Sequence, residues 1–412
     1  MIPDEAAESL AEQLQKQVGL RLRELRLAAG FTAADLADRA GMSQSQISKI
    51  ETGKTTLSVR TLARLCQVLE RPVGYLFHSR EELPRLLGTL ATVKGPENAA
   101  IQNFAAQVRQ ATGDGLVLMP LQPSQIGTAV AQVDQLQAGL IDLFIEELFY
   151  FGKLVAGFDL FSLPYAFASP KARLAFLESR FFQDRLREPL RRQGIRLLNP
   201  RWNWLRGLEW VLAARRPLIN PEDLCGLRVR TPENPLHRRY WEALGAIPVT
   251  VAWGDVRAAL KAGEIEVLPT HKAHLYPLRF CRHAPFVTRL GDLPPVLGVA
   301  INESKYQALP PDIQTALCKA CEQAGTFFSE HVNRCEAENE RLNIRRLRAA
   351  YLKVDLEPWR RASDRVRADL LAERLLDADT DAAAREAESD PDGKGCYPHE
   401  PLDNPTAGRI YP

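Results

Sequence analysis

Apolar residues between Val18 and Phe77 recur every three or four positions, the spacing that places them on one face of an α-helix. Glycines and helix-capping residues divide this stretch into short helical patterns. In chain order they are VGLRLRELRLAAG, TAADLADRAG, SQSQISKIETG, SVRTLARLCQVLE and PVGYLF. Only Gly41 and Met42 separate the second pattern from the third. Because Ala37 and Gly41 are small enough for two helices to cross closely, we predict a helix-turn-helix.

A different pattern begins after HSREELPRLL, a short charged linker. GTLATVKG, DGLVLMP and LIDLFI have the character of strands, whereas NAAIQNFAAQVRQATG and GTAVAQVDQLQAG are typical of helices. This alternation continues to about residue 300 and predicts α/β architecture with largely parallel sheets. From LPPDIQTALCKACEQAG to about Leu376 the pattern is mainly helical. The remainder has little periodicity, which predicts a disordered tail.

The composition is that of an ordinary globular protein. With 45% hydrophobic and 25% charged residues among 412, two or three packed units are expected. The net charge of +2 identifies no partner, but its distribution is uneven: between Gln17 and Arg80 there are ten Lys or Arg against five Asp or Glu. A basic head on an acidic body favours binding of the head to a polyanion. The alternative is a small helical bundle whose basic residues form a solvated face.

The sequence has no pattern typical of export or membrane insertion. Its opening, MIPDEAAESLAEQLQKQ, is acidic and has no apolar h-region, and no run of about 18 apolar residues occurs. The seven cysteines are odd in number and widely scattered, which argues against a disulfide framework. These features predict a cytoplasmic protein that does not associate with a membrane.

No catalytic or cofactor-binding motif is present in the sequence, whether GxSxG, HExxH, GxxxxGK(S/T) or GxGxxG after a strand. Cys318 and Cys321 form a CxxC inside a helical pattern, where buried cysteines are commoner than a metal site. We therefore predict no enzyme activity, no cofactor and no metal. A loose cluster, for which a neutral structural or surface role is expected, comprises His271, His274, His283 and Cys281.

LRELRLAAGFTAADLADRAGMSQSQISKIETGKTTLSVRTLARL resembles the lambda-repressor-like (Cro/C1, or XRE) DNA-binding domains, and the resemblance extends over residues 17–79. In such domains the third helix enters the major groove. The resemblance implies that Gln44, Ser45 and Lys49 face base edges. It also implies that Ser43 caps the helix and touches a phosphate. The residues that would hold the DNA backbone after this helix are Lys54, Thr55 and Thr56.

Two further positions bear on this resemblance. Arg26 and Glu51 match a pair that usually forms a structural salt bridge in the family, so neither is expected to read DNA. Ala33 stands where the family often has a glutamine that contacts phosphate. The loss of one phosphate contact is expected to lower affinity more than specificity.

The body resembles the TRAP-transporter solute receptors (the DctP family) over about residues 88–340. The segments that carry the resemblance, in family order and spacing, are LQAGLIDLFI, LFSLPYAF, INPEDLCGLRVRTPENP, ALGAIPVTVAWGDVRAALKAGEIEV and VAINESKYQALPPDIQTAL. Such receptors have two α/β lobes around a cleft and usually bind organic acids. The expected fold is therefore an all-α five-helix helix-turn-helix domain followed by a two-lobed α/β periplasmic-binding-protein-like domain with C-terminal helices.

The resemblance also implies ligand-binding residues. Arg230 matches an arginine that forms a bidentate pair with the ligand carboxylate, whereas Arg228 falls at an exposed position. Trp253 matches an aromatic pocket position, and Glu147 and Thr270 match polar, ligand-facing positions. An interlobe ion pair or an exposed strand end remains open for Arg230, and core packing remains open for Trp253.

The body departs from the family pattern at three positions. Glu209 replaces a second arginine that the family often carries in a WxxGxR context. Val267 and Pro269 replace the glycine and glutamate of a VDGxE segment. A less acidic or differently shaped ligand, or a pocket that has lost binding, would account for these changes.

These features together predict the organisation of the chain: a tail (1–16), a helix-turn-helix domain (17–79), a linker (80–87), a ligand-binding domain (88–378) and a disordered tail (379–412).

We interpret the whole as a cytoplasmic one-component transcription regulator. Its body would sense a small-molecule carboxylate, and its head would bind double-stranded DNA as a homodimer. The helical stretch from Leu309 to Leu376 is a candidate dimer interface, or it packs on its own lobes. Two alternatives remain open: a body that serves only oligomerisation or protein interaction, and an enzyme fused to a DNA-binding head.

Overall fold

The N-terminal part of the chain is helical, as the apolar spacing predicts. The computed structural model describes residues 4–55, 57–69, 76, 85–90, 96–113, 115–121 and 127–389. The helices of the head are α1 (Asp4–Ala28), α2 (Ala33–Arg39), α3 (Gln44–Glu51) and α4 (Val59–Val68). The fifth predicted helix, PVGYLF, lies outside the described residues except for Leu76, which is buried.

Helix α1 begins well before the predicted domain boundary. Residues 1–16 are a tail in the predicted organisation of the chain, yet the helix starts at Asp4. The physical reason is composition, because residues 5–16 are mostly Glu, Ala, Gln and Leu, which have high intrinsic helix propensities. The helix therefore begins about three turns before the predicted start of the domain at residue 17.

The head is held together by apolar side chains and by one buried ion pair. Gly19 allows α1 to cross α3 closely, since a Cβ there would lie 2.3 Å from the carbonyl oxygen of Ile50. The guanidinium of Arg26 pairs with both carboxylate oxygens of Glu51, at 2.6 and 2.9 Å, and both side chains are buried. This confirms the structural role predicted for the pair. The apolar core includes Val18, Leu22, Leu36, Ile47 and Leu65.

The first lobe of the body is built on a five-stranded sheet. Its strands are β1 (Arg85–Leu90), β2 (Val117–Leu121), β3 (Leu143–Glu147), β4 (Ile195–Leu197) and β10 (Leu297–Asn302). Their order is β2-β1-β3-β10-β4. The accompanying helices are α5 (Pro96–Thr112), α6 (Ala129–Gln137), α7 (Pro170–Glu178), α8 (Arg180–Phe182), α9 (Glu188–Arg192) and α13 (Glu303–Ala308).

The second lobe is built on a six-stranded sheet. Its strands are β5 (Trp210–Ala214), β6 (Arg228–Thr231), β7 (Ile247–Thr250), β8 (Val267–His271), β9 (Phe286–Asp292) and β11 (Ala350–Lys353). Their order is β11-β9-β5-β8-β6-β7. The accompanying helices are α10 (Pro235–Ala243), α11 (Val256–Ala262) and α12 (Lys272–Leu275).

Each sheet is mixed rather than largely parallel, because one strand in each runs against its neighbours. In the first sheet this is β10, antiparallel to β3 and β4, and in the second it is β5, antiparallel to β8 and β9. Both are the first strand after the chain crosses between lobes, through residues 198–209 and 293–296. The two crossing segments pair with each other through an antiparallel bridge between Leu205 and Val296. The prediction of parallel sheets missed these crossings, since sequence periodicity does not record strand direction.

The C-terminal helices pack on the chain's own lobes. Helix α14 (Pro311–Leu347) lies along α5 and also contacts α12, so it spans both lobes. Trp204 in the crossing segment donates from Nε1 to the carbonyl oxygen of Cys321, and Cys318 Sγ lies 3.7 Å from the Tyr306 hydroxyl. The buried face of α14, which the sequence analysis considered as a dimer interface, includes Ile313, Leu317, Ala320, Ala324 and Phe328.

Helical structure continues into the predicted tail. After α15 (Glu357–Ala372), helix α16 spans Ala378–Ser389, although disorder was predicted from residue 379. The contacts that order it are tertiary: Asp381 forms a buried ion pair with Arg367, and Ala384 is fully buried. Residues 390–412 lie outside the described part of the chain.

The head touches the first lobe directly. Arg21 of α1 donates from Nη2 to the carbonyl oxygen of Gly113 at 3.4 Å, and both residues are buried. Gly113 immediately follows α5, so the head rests at the C-terminal end of that helix. Among the described residues, no helix is long and apolar enough to cross a membrane.

Candidate functional site

A cavity of about 1170 Å³ lies between the two lobes. It opens where strands from both sheets end, and its lining includes Glu147 at the end of β3, Arg230 in β6 and Thr270 and His271 in β8. In α/β folds, ligands bind at the carboxyl ends of the strands. The cavity is therefore the candidate ligand site, and it contains each of the four residues that the resemblance singled out: Glu147, Arg230, Trp253 and Thr270.

Arg230 presents an uncompensated guanidinium to this cavity. Its Nε donates to the carbonyl oxygen of Val251 at 3.1 Å, and its guanidinium lies 5.4 Å from the ring centroid of Trp253. No described carboxylate is close enough to form an ion pair with it. Burial lowers the pKa of this guanidinium, a sign that its charge has lost water without gaining a direct counter-ion. Its two terminal nitrogens are available for a ligand carboxylate.

Arg228 lies on the same strand but outside the cavity. It pairs with Glu266 at 3.2 Å, and it donates to the carbonyl oxygens of Gly263 at 2.9 Å and Glu264 at 3.2 Å. These contacts fasten the strand to the segment that leads into β8. Arg228 was expected at an exposed position, and 43% of its side chain is accessible, but it also has a carboxylate and two carbonyl partners.

Trp253 lines the cavity and also packs against the apolar core of the second lobe. It is half-buried, and its ring packs edge-on against Phe280 with centroids 5.6 Å apart. On another side it approaches the His274 ring at 5.0 Å. Together with Arg230 it offers an aromatic face beside a cation, which suits a ligand that has an apolar side and an acid group.

The main feature that the sequence analysis missed is Arg206. This arginine lies in the first crossing segment and is almost fully buried. It binds both carboxylate oxygens of Glu146, at 2.8 and 2.9 Å, and Glu147 Oε1 at 2.9 Å. A third carboxylate, Glu97, lies 3.5 Å from its Nε. The WLRG segment contained the signal, but the expected WxxGxR spacing directed attention to Glu209 instead.

Gly207 makes this position of Arg206 possible. It has φ +93°, and a Cβ there would lie 2.5 Å from Glu336 Oε1. Only glycine adopts this backbone without strain at such close range. The Arg-Gly pair in WLRG is therefore a local requirement of the crossing segment.

Two histidines of the second lobe bind carboxylates of the first. His271 Nε2 lies 3.0 Å from Glu147 Oε1, and His274 Nε2 contacts Glu97 Oε1. The expected neutral structural role fits His271, because burial lowers its pKa to about 4, against the raising effect of Glu147. Both histidines line the cavity, whereas the other members of the predicted cluster, Cys281 and His283, do not. We name Glu97, Glu146, Glu147, Arg206, His271 and His274 the interlobe cluster.

Glu147 and Thr270 are placed at the cavity but already have partners. Burial alone would raise the pKa of Glu147, yet the hydrogen bond from His271 and the charge of Arg206 hold it at about 2. Thr270 Oγ1 lies 3.5 Å from His274 Nδ1. Both side chains therefore belong to the contacts that join the lobes as well as to the lining.

Replacing His271 with glutamine should remove part of the acid sensitivity of the fold. The folded imidazole takes up a proton near pH 4 and the unfolded one near 6.5. The unfolded state therefore binds more protons in this window, and the free energy of unfolding falls as the pH is lowered through it. When the pH is lowered from about 7 to about 5, we expect the free energy of unfolding of His271→Gln to fall by about 2 kcal/mol less than that of the wild type. Urea unfolding at both pH values measures this, and equal losses would contradict the assignment.

The opposite wall of the cavity is aromatic and polar. Phe149 and His237 pack with ring centroids 5.2 Å apart, and Tyr150 lies next to them in the chain. Burial raises the pKa of the Tyr150 hydroxyl, with a further contribution from Glu146, and burial lowers the pKa of His237 to about 4. The Tyr150 hydroxyl and the His237 imidazole are therefore neutral at physiological pH and offer hydrogen bonds without charge. None of the three was predicted, because their approach to the site depends on tertiary packing.

The predicted DNA-binding residues that the structure describes lie at the N-cap of α3, along α3 and just after it. Ser43 caps α3 and accepts from the backbone N–H of Gln46. Thr55 is half-buried, and Thr56 lies outside the described residues. The remaining predicted contacts, all exposed, are Gln44, Ser45, Lys49 and Lys54. An exposed helix N-terminus followed by a lysine-bearing loop can both read base edges and hold phosphates.

Comparison with known proteins identifies both parts. The model of the family described as "Bacterial extracellular solute-binding protein, family 7" matches residues 87–373, most of the chain. The chain belongs to this family. A second family model, described as "Helix-turn-helix domain", matches residues 17–74. The family 7 body therefore follows a helix-turn-helix head in one chain.

Curated relatives of the family 7 body are periplasmic binding proteins. The 2,3-diketo-L-gulonate-binding periplasmic protein YiaO of Escherichia coli is 24% identical over 266 residues, covering 65% of this chain and 79% of that protein. The C4-dicarboxylate-binding periplasmic protein DctP of Rhodobacter capsulatus is 27% identical over 241 residues, covering 57% of this chain and 69% of its own.

Solved structures share the fold of the family 7 body. A TRAP periplasmic solute-binding protein of Shewanella oneidensis with bound succinate has a TM-score of 0.67 at 18% identity, covering 74% of this chain and 99% of that one. One from Roseobacter denitrificans with bound β-D-glucuronate has a TM-score of 0.66 at 20% identity, with the same coverage. At these identities the likeness establishes the two-lobed fold.

The departures from the expected family 7 pattern have structural explanations. Glu209 is buried and pairs with Arg289 at 2.6 Å, outside the cavity. Pro269 lines the cavity, while Val267 is fully buried in the core of the second lobe. Arg206 also lines the cavity, but its guanidinium is already paired with Glu146 and Glu147.

Proposed function

We propose that this protein is a cytoplasmic one-component transcription regulator, whose helix-turn-helix head binds double-stranded DNA and whose family 7 body binds a small organic acid. The observation that carries the proposal is the unpaired guanidinium of Arg230 in a large interlobe cavity, within a chain whose helix-turn-helix head exposes Gln44, Ser45 and Lys49 on α3. The named relatives bind sugar acids and dicarboxylates, and solved structures of the same fold hold succinate and glucuronate.

Ligand binding would act through the relative population of two arrangements of the lobes. A carboxylate that contacts Arg230 in the second lobe and groups of the first lobe favours the closed arrangement by its extra affinity for it. In a homodimer, such closure changes the separation of the two heads, and half-sites must lie about one helical turn apart. Because the target DNA is in the cytoplasm, the acid is sensed there.

The test measures DNA affinity and ligand binding on the full chain. Fluorescence anisotropy with DNA from upstream of its own gene, with and without members of a carboxylate library, should show a change in affinity for each acid that stabilises the protein. A stabilising acid that leaves DNA affinity unchanged would overturn regulation. If no acid stabilises the chain, the body serves oligomerisation or protein interaction instead.

Two variants of the head should separate base reading from backbone contact. Gln44→Ala is expected to cost about 1–3 kcal/mol at the preferred site and to relax sequence preference there. Lys54→Ala should weaken binding to all sequences and lower the salt slope by about 1. Salt-dependent anisotropy with specific and random DNA measures both effects. Lys319→Ala, an exposed lysine of the body, is the control, and equal uniform losses for both head variants would contradict the division of roles.

A further inference from the structure

The interlobe cluster has no positive charge left for a ligand. The two terminal nitrogens of Arg206 are bound to Glu146 and Glu147, at 2.8 to 2.9 Å, and its Nε faces Glu97 at 3.5 Å. Because His274 contacts Glu97, the carboxylates that depend on Arg206 alone for a close cation are those of Glu146 and Glu147. His271 adds no compensating charge, because burial keeps its imidazole neutral above about pH 4. The end of the cavity formed by Glu146 and Glu147 is therefore acidic.

The other cavity arginines do not change this balance. Arg173 donates to the carbonyl oxygen of Pro294, and Arg279 lies 4.2 Å from the ring centroid of Tyr276. Arg257 and Arg282 are exposed to solvent, where their charges are well screened. Arg230 is half-buried, as Arg279 is, but it faces the cavity beside Trp253, and none of the described residues accepts a hydrogen bond from its two terminal nitrogens. The site offers one strong position for one carboxylate.

The acidic end also has a free acceptor. Both hydrogen bonds to the Glu147 carboxylate, from Arg206 and His271, use Oε1. Among the described residues, none donates to Oε2, and the side chain keeps 17% of its surface accessible. A ligand hydroxyl or ammonium group would donate to this oxygen, whereas a second ligand carboxylate would be repelled by it.

We infer that the cavity selects monocarboxylates that carry hydrogen-bond donors, hydroxyl or cationic nitrogen, at the end opposite the acid, and that it rejects dicarboxylates. The acid pairs with Arg230 beside Trp253, and the donors meet Glu147. This deepens the proposed function, since it rests on carboxylate binding at the same site. The absence of the family arginine at Glu209 also has a consequence. Arg206, which lies nearby at the cavity, is already paired with carboxylates and leaves no charge for a second ligand acid.

Matched acids that differ at one end test the inference. Titration calorimetry on the full chain would compare glucuronate, a monoacid, with glucarate, its diacid. It would also compare 4-hydroxybutyrate and 4-aminobutyrate, which have one acid and one donor, with the diacid succinate and with butyrate. The member with one acid and one donor end should bind at least about tenfold tighter than its diacid, because like charges at an interface cost several kcal/mol. Butyrate, which lacks the donor, should also bind more weakly. The hydroxyl and amine arms show which donor is preferred.

Glu147→Gln provides the second measurement. The amide keeps an oxygen for Arg206 and His271 but removes the charge, so the preference for monoacid over diacid should shrink at least about threefold. Glu266→Gln, the partner of Arg228 outside the cavity, should leave the preference unchanged. Diacids that bind as tightly as monoacids, or an unchanged preference in Glu147→Gln, would overturn the inference alone. Failure of every acid to bind would overturn the proposed ligand sensing as well.

Discussion

Replacing Arg230 with alanine is expected to weaken binding of a carboxylate ligand by at least about a hundredfold. The guanidinium is held by one hydrogen bond to Val251 and lies beside Trp253, with its terminal nitrogens facing the cavity. A bidentate arginine–carboxylate contact in a site with little water is among the stronger polar interactions in proteins. Titration calorimetry with any acid that stabilises the wild type measures the loss.

Arg228→Ala is the matched control for this variant. It removes the same side chain from the same strand, but its contacts are with Gly263, Glu264 and Glu266, outside the cavity. Its ligand affinity should stay within a factor of about three of the wild type, with a stability loss of under about 1 kcal/mol. Equal losses of affinity for the two variants would show that the arginines act only through the general positive potential of the strand.

Replacing Arg206 with methionine should destabilise the body by about 3–5 kcal/mol at neutral pH. The variant leaves Glu97, Glu146 and Glu147 buried near one another without their shared cation. Arg206 and the neighbouring histidines hold the pKa values of Glu97 and Glu147 below the usual range, against the raising effect of burial. Without the guanidinium these carboxyls should take up protons at higher pH, so the deficit in free energy of unfolding should shrink as the pH is lowered.

Urea unfolding at about pH 7 and about pH 5 would measure both expectations. Arg201→Met is the control, because Arg201 pairs with Glu322 at 3.0 Å on the surface, with 61% of its side chain exposed. An exposed pair contributes under about 1 kcal/mol. If Arg206→Met lost no more stability than Arg201→Met, the interlobe cluster would have to be hydrated rather than dry.

The sequence allowed the placement of Arg230 because its signal is local. Alternating strand residues, a proline-stopped turn and the family spacing together put it at the carboxyl end of a strand, and there the structure has it. The same period placed Arg228 on the same face, but it could not show that the loop at Gly263 to Glu266 would meet that side chain. Position along a strand, rather than face, separates the two arginines.

The interlobe cluster could not be predicted because its members are far apart in the chain. Glu97, Glu147, Arg206 and His271 come from different elements and meet only after both lobes form. The reversed strands β5 and β10 were missed because sequence periodicity does not record strand direction. By contrast, the start of α1 at Asp4 could have been found, since helix-forming residues fill the stretch that follows.

Helix α5 connects the candidate ligand site with the head. Its 17 residues give a length of about 25 Å. Near one end Glu97 contacts His274 and Arg206 in the interlobe cluster, and just past the other end Gly113 accepts from Arg21 of the helix-turn-helix head. If this helix tilted when the lobes move, its far end would displace the head. Signal strength would then depend on the stiffness of α5 rather than on the length of the charged linker.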